Sequence, residues 1–100
     1  MKKRMIRYKV KKGRVAENEA LVKEVYRQLK EKQPEHFRYI TYQLDDQQTF
    51  VHIVSFEKEG VNPLPALPAF QQFQADIAER LEIQPTASDL TELGSYGYGD

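Results

Sequence analysis

His52 is the residue whose type and position offer the clearest chemistry in this sequence. It lies in the apolar run of residues 49–57, and alternation places it on the same side as Phe50, Val54 and Phe56. A neutral imidazole among aromatic side chains can act as a general base or hold a ligand. The same pattern also fits a core histidine that is hydrogen-bonded to the backbone or to a tyrosine. The residue types alone leave both interpretations open.

Tyrosines are the second group of candidate functional side chains. Tyr8 and Tyr39 lie on predicted strands, and Tyr26 lies on the apolar stripe of a predicted helix. Each combines a large apolar body with one hydroxyl group. If the space between helices and sheet is open, Tyr26, His52 and Phe73 would line a pocket for a planar or apolar molecule. The alternative is that these side chains fill the core.

Several other kinds of site are not expected. The chain has no cysteine, which excludes disulfides, thiolate metal sites and cysteine nucleophiles. Its two histidines, His36 and His52, do not form a metal-ligand motif, and no glycine-rich loop precedes a helix. We therefore expect no metal and no cofactor. His36 follows Pro34 at the start of a strand, and we expect it to be exposed.

Length and charge favour a small cytoplasmic domain. The 100 residues suffice for a single domain, residues 1–100, and no apolar run is long enough to span a membrane. Residues 1–50 carry 13 basic and 7 acidic side chains (13 − 7 = +6), and residues 51–100 carry 2 and 8 (2 − 8 = −6). The basic start would bind anions or form a solvated strand. Neither a membrane nor a nucleic acid is expected as a partner, because the total charge is zero.

The first part of the chain predicts a strand, a helix and a hairpin. Alternation predicts a strand over 5–11, and helical spacing of apolar residues predicts a helix over 16–33. Two β-type runs follow at 37–44 and 49–57. The polar link 45–48 is short enough to favour an antiparallel hairpin.

The second part predicts a helix and a last strand. Pro68 suits the first turn of a helix, and Pro85 follows its end. A last strand is predicted over 89–96. The apolar stripe of the helix consists of Phe70, Phe73, Ile77 and Leu81. The order β-α-β-β-α-β indicates an α+β, ferredoxin-like domain with an antiparallel sheet and both helices on one face.

Residues 49–57 also indicate a second subunit. Phe50 and Val54 make one face of this strand apolar, and Val51 and Ile53 make the other face apolar. Such a strand is typical of a sheet that is covered on both sides. One sheet with two helices covers only one side, so we expect another chain to cover the other.

This plan resembles the dimeric α/β-barrel family that includes the antibiotic-biosynthesis-monooxygenase-like proteins. The similar segments are residues 7–11, 49–53 and 67–73, and the resemblance covers about residues 5–96. It implies that two ferredoxin-like subunits pack sheet against sheet as a homodimeric barrel. It also implies a small-molecule pocket between helices and sheet. The haem-degrading branch is not expected, because its Asn-Trp-His set includes a tryptophan and this chain has none.

The resemblance implies a monooxygenase-like enzyme that oxidises an aromatic or polyketide-like substrate without a cofactor. In that role His52 would be the base, and Tyr26 or Tyr39 would be the hydrogen-bond donor. The expected pocket lining consists of Phe50, Val54, Phe73 and Ile77. The alternative is a non-catalytic domain that binds a small apolar or aromatic ligand or serves in dimeric assembly.

Overall fold

The computed structural model describes residues 2–57 and 62–98, and its strands form a four-stranded antiparallel sheet. The strand order is β2-β3-β1-β4. The elements are β1 Lys2–Val10, α1 Val15–Lys32, β2 Phe37–Gln43, β3 Thr49–Phe56, α2 Pro68–Gln74, α3 Ile77–Arg80 and β4 Leu81–Leu90. This architecture confirms the predicted α+β, ferredoxin-like fold.

Helix α1 follows the spacing of its apolar residues. Val22 and Val25 are buried together with Asn18, which lies one turn before Val22. The helix ends at Gln33, whose backbone has a φ of 48° and donates its N–H to the Leu29 carbonyl. Pro34 then prevents continuation of the helix. Within the described ranges, no helix is long and apolar enough to cross a membrane.

The hairpin between β2 and β3 is also as predicted. Its turn is organised by Asp46, which accepts hydrogen bonds from the Thr49 hydroxyl at 2.6 Å and from the backbone N–H groups of Gln48 and Thr49. These bonds favour the charged carboxylate and hold the pKa of Asp46 at about 2. The turn fixes the register that pairs Thr41 with His52 and Tyr39 with Val54.

One face of the sheet packs against the helices and carries the core. β1 supplies Tyr8 and Val10 to this face, because alternate residues of a strand point the same way. The other buried apolar side chains include Val25, Phe50, Val54, Phe73 and Leu81. His52 is buried in this layer, next to the core aromatics.

The opposite face of the sheet is not covered by any described element. Its apolar side chains are partly or largely exposed, and they come from all four strands. They include Met5, Ile40, Tyr42, Val51, Ile53 and Ile83. The homodimer expected from the sequence stays a prediction, because the structure consists of one chain.

The end of the chain differs from the sequence prediction. The predicted long helix stops at Gln74, and Asp76, with a φ of 57°, separates it from the short helix α3. The last strand is Leu81–Leu90, whereas the predicted strand over 89–96 was wrong. Pro85 lies inside β4, where it is tolerated because β4 is an edge strand that pairs, among the described strands, with β1 alone.

Candidate functional site

A cavity of about 460 Å³ lies between the helix-facing side of the sheet and α2. The sheet contributes side chains from β1, β2, β3 and β4, and the helices contribute side chains from α2 and α3. Its aromatic lining residues are Tyr8, Tyr39, His52, Phe56, Phe70 and Phe73. The size and the apolar walls are typical of a small-molecule site.

His52 lies on the sheet side of this cavity, where three hydroxyl groups are within hydrogen-bonding distance of its ring nitrogens. Its Nε2 lies 2.7 Å from Tyr8 Oη, and its Nδ1 lies 2.8 Å from both Tyr39 Oη and Thr41 Oγ1. The imidazole is nearly parallel to the rings of Tyr8 and Tyr39, with interplanar angles of 16° and 17°. Both ring nitrogens are therefore satisfied, and the ring is held in one orientation.

A buried chain of polar groups extends from Tyr8 to Arg80. Asn18 Nδ2 donates to Tyr8 Oη at 3.0 Å, and Arg80 Nε donates to Asn18 Oδ1 at 2.9 Å. Arg80 is 1% exposed, and its Nη2 donates to the Phe73 carbonyl. Its Cζ also lies over the Phe73 ring, 5.2 Å from the ring centroid. In the described part of the chain no carboxylate lies within salt-bridge distance of Arg80. Its charge is therefore stabilised by the neutral oxygens of Asn18 and Phe73 and by the Phe73 ring.

This chain of hydrogen bonds assigns the tautomer of His52. A guanidinium has only donors, so Asn18 must accept through Oδ1 and turn Nδ2 towards Tyr8. The Tyr8 oxygen thus accepts from Asn18, and its own O–H donates to His52 Nε2. A neutral imidazole that accepts at Nε2 carries its hydrogen on Nδ1, where it donates to Tyr39 or Thr41.

Burial keeps His52, Tyr8 and Tyr39 uncharged at neutral pH, while Arg80 carries the charge of the network. Desolvation lowers the pKa of His52 to about 4. Desolvation also raises the pKa of Tyr8 to about 12, although the bond from Asn18 opposes it. It raises the pKa of Tyr39 further, and the neighbouring tyrosines add to that effect. The site therefore offers a neutral imidazole acceptor and phenol donors.

No protein-family model and no curated protein matches the sequence. A protein named as an antibiotic biosynthesis monooxygenase from Nitrosomonas europaea has a TM-score of 0.76 at 14% identity, over 94% of this chain and 100% of its own. SnoaB, described as a cofactor-independent oxygenase from Streptomyces nogalater, has a TM-score of 0.69 at 16% identity, with 96% of each chain covered.

A third structure, named as an antibiotic biosynthesis monooxygenase from Bacteroides thetaiotaomicron, has a TM-score of 0.74 at 15% identity, over 92% of this chain and 89% of its own. This chain has the antibiotic biosynthesis monooxygenase fold. The resemblance that residues 7–11, 49–53 and 67–73 suggested is confirmed for the fold.

Within this antibiotic biosynthesis monooxygenase fold, the residues expected at the site are divided between the cavity and its surroundings. His52 and Tyr39 line the cavity, and so do Val54, Phe73 and Ile77. Phe50 lies outside this lining, where its ring stacks on Tyr8 at a centroid distance of 5.7 Å. Tyr26 is also outside: it bonds Thr41 Oγ1 at 2.7 Å and lines a smaller cavity of about 210 Å³. Tyr39 lines both cavities.

Sequence analysis missed Asn18, Thr41 and Arg80 and gave Tyr8 no specific role. Asn18 lies four positions before the buried Val22 of α1. Arg80 lies three positions after the partly buried Ile77 and directly before the buried Leu81. A polar residue on an apolar stripe must find a partner inside the protein. That signal was present in the sequence, but it does not name the partner. In the described part of the chain, no cluster of three or more metal-ligating side chains occurs.

The lowered pKa of His52 makes stability depend on pH. The folded chain binds its proton near pH 4, whereas the ordinary pKa is 6.5, so the unfolded chain takes up more protons between these values. Stability is therefore full above pH 6.5 and is lost as the pH falls towards 4. We expect the His52 contribution to fall by about 2 kcal/mol between about pH 7 and about pH 4.5.

Urea denaturation at these two pH values measures this loss. His52→Gln should reduce the difference between them, because glutamine does not titrate. His36→Gln is the matched control, since His36 is exposed and should leave the difference intact. An equal pH dependence in wild type and His52→Gln would show that His52 does not have a lowered pKa.

Proposed function

We propose that this protein binds a planar aromatic molecule in the cavity beside His52 and oxidises it with dioxygen without a cofactor. The observation that carries the proposal is the placement of His52. Its ring lines an aromatic cavity, while hydroxyl groups hold both of its nitrogens. The fold likeness to SnoaB, a cofactor-independent oxygenase, supports the same reaction class.

The proton path follows the assigned tautomer. A substrate enol or phenol donates its proton to Tyr8 Oη, while the Tyr8 hydroxyl passes its own proton to His52 Nε2. The imidazolium that results keeps its second N–H on Nδ1, which faces Tyr39 and Thr41. Tyr39 then turns its hydroxyl hydrogen towards the developing oxyanion and stabilises it.

Dioxygen and the substrate supply the remaining chemistry. The substrate anion gives its electrons to dioxygen, and a carbon–oxygen bond forms to a peroxide. The peroxide takes back a proton and loses water, so a methylene group and dioxygen yield a carbonyl group and water. The carbon is oxidised and dioxygen is reduced, and His52 returns to its neutral form.

A second function, ligand binding without catalysis, is favoured by the weak basicity of His52. A base whose pKa lies near 4 accepts a proton from a substrate less readily than one whose pKa lies near the working pH. In this alternative the same cavity holds the planar molecule. The hydroxyls of the network then orient the ligand, and no oxygen is consumed.

The test combines binding with oxygen uptake. Anthrone is the probe, because it is planar and has a methylene group that forms an enol. We expect saturable quenching of tyrosine fluorescence and uptake of one dioxygen for each carbonyl formed. His52→Gln should slow uptake about 100-fold with binding retained, because general-base catalysis contributes at least that factor. The exposed His36→Gln should leave uptake unchanged.

The outcomes separate the two functions. Binding without uptake in the wild type supports the non-catalytic function and contradicts the oxygenase proposal. Uptake that is the same in wild type and His52→Gln removes His52 from the reaction. If anthrone does not quench the fluorescence at any soluble concentration, the cavity does not hold a planar aromatic molecule, and both functions fail.

A further inference from the structure

Strand β1 forms one wall of the cavity with four alternate residues. These are Lys2, Arg4, Ile6 and Tyr8, and all four line the cavity. Lys2 and Arg4 are exposed, Ile6 is half-buried and Tyr8 is buried. The cavity therefore opens at the start of β1 and ends at Tyr8 and His52. Its wall changes from cationic to apolar to hydrogen-bonding along this direction.

Charge at this opening has one sign among the lining residues that the structure describes. Lys2 and Arg4 are the charged members of that lining, and no carboxylate belongs to it. Asp89 lies next to Arg4, but it accepts from Nε at 3.0 Å. The guanidinium also carries two Nη groups, whose N–H donors can hydrogen-bond a second carboxylate.

We propose that the ligand of this cavity is an aromatic carboxylic acid, whose carboxylate lies between Lys2 and Arg4 while its ring system reaches Tyr8 and His52. This inference rests on the proposed function, because it names the substrate class of the same cavity.

The length of the wall limits the ligand. A strand rises about 3.3 Å per residue, so the Cα atoms of Arg4 and Tyr8 are about 13 Å apart. Both side chains leave β1 on the same face, so a ligand that touches both must span roughly this distance. A fused ring system with a carboxylate at one end fits this length. A single ring would not reach both groups.

Two probes test the role of the carboxylate. Anthraquinone-2-carboxylate and anthraquinone-2-carboxamide have the same rings and differ in charge. Calorimetric titration of the wild type should give about tenfold tighter binding of the carboxylate at low salt, because two exposed ion pairs add a modest attraction. Raising the salt from about 50 mM to about 500 mM should remove most of this difference.

A matched pair of double variants locates the effect. Lys2→Gln with Arg4→Gln should weaken the carboxylate about tenfold and leave the carboxamide unchanged. Lys3→Gln with Arg7→Gln also removes two positive charges, but from the opposite face of β1, and should change neither the carboxylate affinity nor the carboxamide affinity. A small loss of stability from the Arg4–Asp89 pair is measured by the thermal midpoint and does not affect this comparison.

The outcomes also separate this inference from the proposed function. Equal affinities for the two probes contradict the carboxylate site and leave the aromatic cavity intact. Equal losses in the two double variants show a general charge effect and also contradict the site. If neither probe binds, the cavity does not hold planar aromatic molecules, and the proposed function fails together with this inference.

Discussion

Asn18→Ala is expected to lower the free energy of unfolding by about 3 kcal/mol, although alanine is the better helix former. The amide of Asn18 is buried and accepts from Arg80 Nε while it donates to Tyr8 Oη. Its removal leaves a donor of a buried cation without an acceptor, and such charged hydrogen bonds are the costly ones to lose. Urea denaturation measures the loss. Lys23→Ala, an exposed change on the same helix, should cost less than about 0.5 kcal/mol.

Asn18→Asp tests the direction of the hydrogen bonds without a change in shape. An aspartate only accepts, so it would take hydrogen bonds from both Arg80 and the Tyr8 hydroxyl. Tyr8 Oη would then accept from His52 Nε2, and the imidazole hydrogen would move from Nδ1 to Nε2. The ¹⁵N shifts of the His52 ring report this change. Identical shifts in wild type and Asn18→Asp would contradict the assigned tautomer.

The sequence was sufficient to predict the first four elements. β1, α1, β2 and β3 each lie within a few residues of their predicted limits. Their signals are local: alternation in the strands, a 3.6-residue stripe in α1 and a short polar turn. Both faces of β3 were apolar in the sequence, and in the single chain Phe50 and Val54 on one face are buried while Val51 and Ile53 on the other are only partly buried. The other face is the part that the predicted dimer would cover.

The last strand could not be placed by local patterns. Leu81 continues the apolar stripe of Phe73 and Ile77, so a helix through Leu81 fits the spacing as well as the observed break does. Proline at position 85 is typical of a loop, and only the edge position of β4 makes it compatible with a strand. That position is set by tertiary pairing with β1, which the local sequence does not contain.

The site was predictable only where strand alternation decides it. Alternation placed His52 on the same face as Phe50 and Val54, and its contact with Tyr39 follows from the hairpin register. The Asn18–Arg80 bond joins residues 62 positions apart, so local spacing does not show it. Tyr26 lies on the apolar stripe of α1, and its hydroxyl hydrogen-bonds Thr41 outside the larger cavity. The direction of a hydroxyl depends on neighbours from other elements.

Phe73→Ala is expected to have the largest effect on stability, a loss of about 3–5 kcal/mol in the free energy of unfolding. Phe73 is buried, and its ring lies 5.8 Å from the His52 ring and 6.1 Å from the Tyr8 ring, measured between centroids. Arg80 also stacks on this ring, so the substitution removes apolar packing and the partner of a buried cation together.

Chemical denaturation of two companion variants makes the Phe73 result interpretable. Phe73→Leu keeps most of the apolar volume, so it should lower the free energy of unfolding less than Phe73→Ala does. Leucine has no aromatic ring, so Arg80 still loses its cation–π partner. Tyr98→Ala removes an aromatic ring that is 83% exposed and should cost nothing measurable. A loss below about 1 kcal/mol for Phe73→Ala would mean that α2 collapses onto the sheet and fills the space. In that case the cavity beside His52 would not have a rigid wall, and the binding proposals that depend on it would lose their basis.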